Sequence, residues 1–168
     1  LRMTHAKWLL DTGQEEKAGS IKESEGDYLG ALNMYLKAGL ATRASRLLQS
    51  QDELMQSPDI VNKVTSALLK GEFYEQAGEL FEKVGGKEDQ ALDCYRKGHA
   101  FARATELARR EFPSEVVHLE EEWGNFLADN KQLDAAINHY IEAGRTLKAL
   151  DSAINAKQWK KAVQIIQV

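Results

Sequence analysis

The sequence predicts an all-α fold, a right-handed α-solenoid of about twelve short antiparallel helices, and three observations lead there. Only 2 of 168 residues are proline, the residue interior helices tolerate least. β-Branched and aromatic residues are scattered and never alternate over a strand's length. Most telling, three segments align without gaps: YLGALNMYLKAG from Tyr28, YEQAGELFEKVG from Tyr74 and LDAAINHYIEAG from Leu133.

Each copy carries alanine, an aromatic one turn later and a terminal glycine in the same frame. These are Ala31, Tyr35 and Gly39; Ala77, Phe81 and Gly85; and Ala136, Tyr140 and Gly144. Positions three, four and seven apart share one helical face, so each copy reads as an amphipathic helix. Alanine on that face admits a close neighbour, the aromatic fills the space one turn on, and glycine ends the helix. Trp159, Ala162 and Ile166 begin a fourth copy. A step of 13 residues recurs from Ala31 to Ala44, Ala91 to Ala104, Ala136 to Ala149 and Ala149 to Ala162. The first two anchors lie 46 residues apart and the next two 59, so one such step has been inserted between the second and third copies. Tyr95, four residues after Ala91, takes the aromatic place on the intervening helix.

Helices of about 11 residues joined by two-residue turns fit this spacing. In order they are expected near 2–12, 14–24, 27–38, 40–51, 58–70, 73–84, 87–97, 100–110, 114–129, 132–143, 145–155 and 158–167. Ser57-Pro58 reads as an N-cap followed by the first helical position, and Pro113 as preceding a cap at Ser114. Gly26 and Gly71 are expected to turn between helices, while His99 stands where a stop glycine is expected. Gly30 has no role in this scheme. Together the elements read as a single solenoid segment over 1–168, with repeat cores near 14–51, 58–110 and 114–168. Because the chain starts at Leu1, it reads as a piece of a longer repeat array.

Composition narrows the function classes. The net charge is −4 and 29% of residues are charged, without the basic stripe of a nucleic-acid domain. No apolar run approaches the roughly 18 residues of a membrane span. Contact with a membrane surface would rest only on Lys157, Lys160 and Lys161 around Trp159. One cysteine, Cys94, excludes a disulfide framework and fits a reducing, cytosolic compartment. On a predicted helix without a paired histidine, Cys94 reads as a small core residue rather than a nucleophile.

His5, His99, His118 and His139 form no i, i+4 pair and no metal-ligand spacing with Cys94. His118 lies near Glu121 and Glu122, yet reads as a solvent-facing side chain. Glu120, Glu121 and Glu122 fan across about 200° of a helix, so they read as a solvated face rather than converging acid/base groups. No glycine-rich phosphate loop is present. The sequence therefore predicts no enzymatic activity and no cofactor or metal site.

Gly26-Asp27-Tyr28 with Ala31, Tyr35 and Ala38 resembles the turn and second helix of a tetratricopeptide repeat. Gly19 and Gly124, twelve residues before Ala31 and Ala136, match the small residues that the first helix of such a repeat sets against the second. Thr65 departs from that pattern in the second copy, whose first helix pair is expected to be splayed. More specifically, FPSEVVHLEEEWG and QLDAAINHYIEAG make residues 70–166 similar to the largest-subunit family of intraflagellar transport complex B. That resemblance implies a non-enzymatic scaffold working with other complex B subunits, with complex A and with ciliary cargo, at the cilium and its basal body. The alternatives are a free-standing peptide-binding adaptor and a segment of another coat-like complex.

The tetratricopeptide resemblance also implies a binding groove along each first helix. Transferred here, its lining would be Glu16, Ser20 and Glu23; Asp59, Asn62, Ser66 and Lys70; and His118, Glu121, Asn125 and Asp129. With five carboxylates against one lysine, that groove is expected to be mildly acidic and to prefer a basic or neutral peptide.

Overall fold

The computed structural model describes residues 14–167; the helix expected over 2–12 lies outside them. The described residues form an all-α fold, with no strand among them. In chain order the helices are α1 (Glu15–Ser24), α2 (Tyr28–Lys37), α3 (Ala41–Ser50), α4 (Asp52–Met55), α5 (Pro58–Lys70), α6 (Tyr74–Val84), α7 (Glu88–Lys97), α8 (Phe101–Glu111), α9 (Val116–Asp129), α10 (Leu133–Glu142), α11 (Thr146–Asn155) and α12 (Trp159–Gln167). The four-residue α4 escaped the sequence reading because a single turn is too short to show periodicity. The 13-residue step resolves into ten helical residues and a three-residue turn, as in α1, α2, α7, α10 and α11.

The chain divides into two compact units, 1–94 and 95–168, with the division inside α7. In the first unit α1 packs on α2, α2 on α3, α3 on α5 and α5 on α6. Ala31, Tyr35, Ala44 and Ala77 are fully buried there, and Phe81 nearly so. In the second unit α8 through α12 pack in succession. One buried cluster there joins Ala136, Ile137, Tyr140, Ala149, Ala153, Ala162 and Ile165. Ala91 and Tyr95, one on each side of the division, are both fully buried, as is Ala104.

One turn design ends most of these helices. At the end of α2 the Leu40 amide donates back to Tyr35 O across a left-handed Gly39. The same bond closes α1, α5, α7, α9, α10 and α11, with Gly26, Glu72, His99, Lys131, Gly144 and Lys157 as the left-handed residue. Four of these are not glycine. At the end of α5 the positive φ falls on Glu72, while Gly71 is an ordinary C-cap at φ −83°.

Two further corrections concern capping. Ser114 caps nothing: Pro113–Glu115 is one 3-10 turn entered from a non-helical Phe112 at φ −135°, ψ 64°, and α9 starts at Val116. Gly30, left without a role by the sequence, adjoins a working cap. Asp27 accepts its amide at 3.1 Å, and a Cβ at residue 30 would collide with the Asp27 carboxylate.

Candidate functional site

Two sets of side chains, 105 residues apart in sequence, build the same three-helix junction. In the first unit Gly19 on α1 faces Tyr35 on α2 so closely that a Cβ would lie 2.6 Å from the ring. The Tyr35 hydroxyl donates to Glu23 at 2.7 Å, and Arg43 on α3 sits 4.7 Å above the ring centroid. Arg43 then reaches back to Glu16 and to Ser20 Oγ on α1. In the second unit Gly124 on α9 takes the place of Gly19, with a Cβ-to-ring distance of 2.9 Å to Tyr140 on α10. The Tyr140 hydroxyl donates to Asn125 Oδ1 at 2.7 Å, and Lys148 on α11 lies 5.8 Å from the ring centroid. Lys148 and Arg145 close the junction on Glu121 at 2.8 and 2.9 Å.

Burial pushes the phenol pKa of both tyrosines up, with the Glu23 bond adding to it at Tyr35. The hydrogen bonds from Lys148 and Arg145 hold the Glu121 carboxyl below the usual glutamate range. Glu16–Arg43 and Glu121–Lys148 are each 27 residues apart, as is a third pair, Asp134–Lys161 at 2.7 Å. That spacing is two helix-and-turn steps plus one residue, so each pair ties alternate helices side by side. Single exposed pairs add about 0–1 kcal/mol; repeated at one spacing, they hold the helices in register.

The second copy lacks the set as a whole. Asn62, Thr65, Phe81 and Asp89 stand where the others have acid, glycine, tyrosine and base. Thr65 is buried and turns its hydroxyl onto Val61 O and Asn62 O of its own helix. Contact between α5 and α6 is sparser than between α1 and α2 or α9 and α10. A threonine in place of the glycine accounts for that.

These junctions also change the charge of the groove lining. Glu16 and Glu121 are ion-paired, and Glu23 is bound to a tyrosine hydroxyl. Asn125 is taken by Tyr140 and Lys148. His118 meets Glu122 at 2.9 Å within its own helix. Asn62 and Lys70 on α5, and Asp129 at the end of α9, are exposed and lie outside the junctions.

The acidic run of α9 is not a solvated face. Glu120 is buried, taking a 2.8 Å bond from His139 Nδ1 with Arg109 at 3.5 Å. Glu122 binds Arg96 through two guanidinium nitrogens. The three carboxylates do fan apart, but each finds a base on a different helix. Beside them runs a ladder of rings. His99 stacks on Phe126 at 4.6 Å, Phe126 meets Phe101 at 5.6 Å, Phe101 meets Trp123 at 6.4 Å, and Trp123 stacks on His139 at 3.9 Å. This explains His99 in a glycine position: its stacking offsets the cost of a left-handed backbone at φ 57°.

The sequence assigned no site role to Arg43, Lys148, Arg109, His139 or Trp123. A signal existed, since Arg43, Lys148 and Lys161 each lie twelve residues after an anchor alanine. The apolar frame within one helix carries no mark of charges two helices away.

Among the described residues no group of three or more His, Cys, Asp or Glu is placed to hold a metal ion, and no helix is long and apolar enough to cross a membrane. Cys94 is buried.

No protein-family model matches the chain. Among curated proteins, the Danio rerio protein named intraflagellar transport protein 172 homolog is 56% identical over all 168 residues. The Chlamydomonas reinhardtii intraflagellar transport protein 172 is 49% identical over the same length. The Caenorhabditis elegans intraflagellar transport protein osm-1 is 38% identical over 99% of the chain. In each case the chain spans 10% of the relative's length.

Proposed function

We propose that this chain is a scaffold segment of an intraflagellar transport subunit, acting at the cilium or flagellum through protein–protein contacts rather than catalysis. The observation that carries this reading is similarity from end to end, 38–56% identical, to one segment of proteins all named for intraflagellar transport. The physics of the fold agrees with it. Helix register is held by repeated interhelical ion pairs, and glycine–tyrosine contacts lock successive helices. Within each unit such a stack presents a surface of fixed geometry. Its partners on this reading are other complex B subunits, complex A and ciliary cargo, with the whole of 1–168 belonging to one longer solenoid.

The exposed faces of these first helices, α1 and α5 in the first unit and α9 in the second, are the proposed docking faces, each taken within its own unit. With Glu16, Glu23 and Glu121 occupied internally, the free charges are Asp59 and Lys70 in the first unit and Asp129 in the second, so shape and polar contacts outweigh net charge on each. Crosslinking mass spectrometry on purified transport complexes tests the reading. Crosslinks from Lys63 and Lys70 on α5 to other subunits are expected; crosslinks only to the parent polypeptide would refute the docking face.

A further inference from the structure

We propose that the trough walled by α8 and α10 and floored by α9 binds an arginine side chain presented by a partner protein. The trough has a volume of about 670 Å³ and lies wholly within the second unit. Its floor is aromatic, made by the half-buried Trp123 and His139 in contact with each other. Beneath, the buried Glu120 is already compensated by His139 and Arg109.

The walls are not compensated. Glu106 on α8 and Glu142 on α10 both line the trough, are exposed, and have no ionic partner among the described residues. The third carboxylate of the trough, Glu120, is matched by His139 and Arg109, so the two wall acids are what a cation would answer. A third group points the same way. Thr105 lines the α8 wall at 2% exposure, and its hydroxyl has no hydrogen-bond partner. A buried polar atom left without a partner is costly, and a donor-rich ligand would satisfy it.

Arginine fits better than lysine on chemical grounds. Its planar guanidinium carries five donors in a fixed fork, is weakly hydrated, and lies flat on aromatic surfaces. An anionic ligand, whether a phosphate or an acidic peptide, would face two uncompensated carboxylates. The proposal rests on the second unit's geometry and stands whether or not the transport reading holds.

The test uses the full chain and N-acetylarginine amide, with the uncharged isostere N-acetylcitrulline amide as control. Saturable shifts of the Trp123 indole and His139 ring resonances are expected with the arginine probe, weaker with the lysine analogue, and absent with citrulline. Combining Glu106→Gln with Glu142→Gln, both on the surface, should weaken arginine binding at least about tenfold, reading two lost charge-assisted bonds. Thr105→Val should weaken it too while leaving the melting temperature equal or higher. Equal shifts from arginine and citrulline, or an affinity untouched by the double substitution, would overturn the proposal. Absence of saturation up to roughly 100 mM probe, weaker than a single charged contact provides, would overturn it as well. An unchanged affinity in Thr105→Val would likewise overturn it, since that hydroxyl is the buried group the ligand is argued to satisfy.

Discussion

Replacing Gly124 with alanine isolates the contact on which the second unit is built. In an ordinary helix interior the change stabilises by about 1 kcal/mol, because glycine is the poorer helix former. Here the new methyl would lie 2.9 Å from both Cδ1 and Cε1 of Tyr140, well inside the 3.5–4.0 Å at which carbon atoms pack best. The ring cannot step aside cheaply. It is 4% exposed, its hydroxyl is held at 2.7 Å by Asn125, and Lys148 lies over it. Overpacking costs about 1–3 kcal/mol, and displacing the hydroxyl forfeits a hydrogen bond of about 1 kcal/mol. The net expectation is a loss of about 1–3 kcal/mol, or a few degrees in Tm for a chain of this size. In a Tyr140→Leu background the obstruction is gone, and Gly124→Ala should regain its ordinary gain of about 1 kcal/mol. Urea unfolding of the four proteins reads this as a reversal of sign and a coupling of about 2–4 kcal/mol. If Gly124→Ala stabilised both backgrounds equally, the close approach of α9 to α10 would not be the determinant described here.

Three further outcomes follow. Ala136→Phe places a large ring where a fully buried alanine now sits, and thermal unfolding should show a loss of about 1–3 kcal/mol or more; an unchanged melting curve would refute that packing. At His99, alanine keeps the left-handed strain but loses the stack on Phe126, while glycine loses the stack and relieves the strain. His99→Ala should therefore be the less stable by about 1 kcal/mol, and the reverse order in urea titrations would discount the ring ladder. For Glu121 the folded-state pKa lies below the unfolded one, so its contribution is complete above the ordinary glutamate range and is lost as pH falls through the folded value. The stability gap between the wild type and Glu121→Gln should narrow on acidification through that range; a gap that stays constant would show that Arg145 and Lys148 do not act on the carboxylate.

Much of the fold was legible because a helical repeat writes its packing into local spacing. Ala31, Ala136 and Ala149 sit at regular intervals since each helix meets its neighbours at the same height, and sequence periodicity reports that directly. Gly19 and Gly124 were legible for a related reason: a small residue opposite a large ring leaves a complementary pair at fixed separation. What stayed hidden depended on backbone conformation or on contacts between distant helices. Glu72, Lys131 and Lys157 adopt left-handed backbones because the surrounding hydrogen bonds impose it, and their side chains carry no mark of it. Glu120 looked like one of three surface acids. Its burial follows from Arg109 and His139 arriving from two other helices, which no window along α9 contains. The trough around Trp123 was invisible for the same reason, since its walls come from α8 and α10.

The central claim is that this segment works as a structural part of a transport scaffold, and its removal tests that most directly. In a ciliated cell lacking the endogenous protein, the Danio rerio relative would be expressed in two forms: one with its matching tenth replaced by this chain, and one with that tenth deleted. The account predicts that the replacement restores cilia and the movement of transport complexes along them, while the deletion does not. Normal cilia and normal movement with the deletion would contradict it.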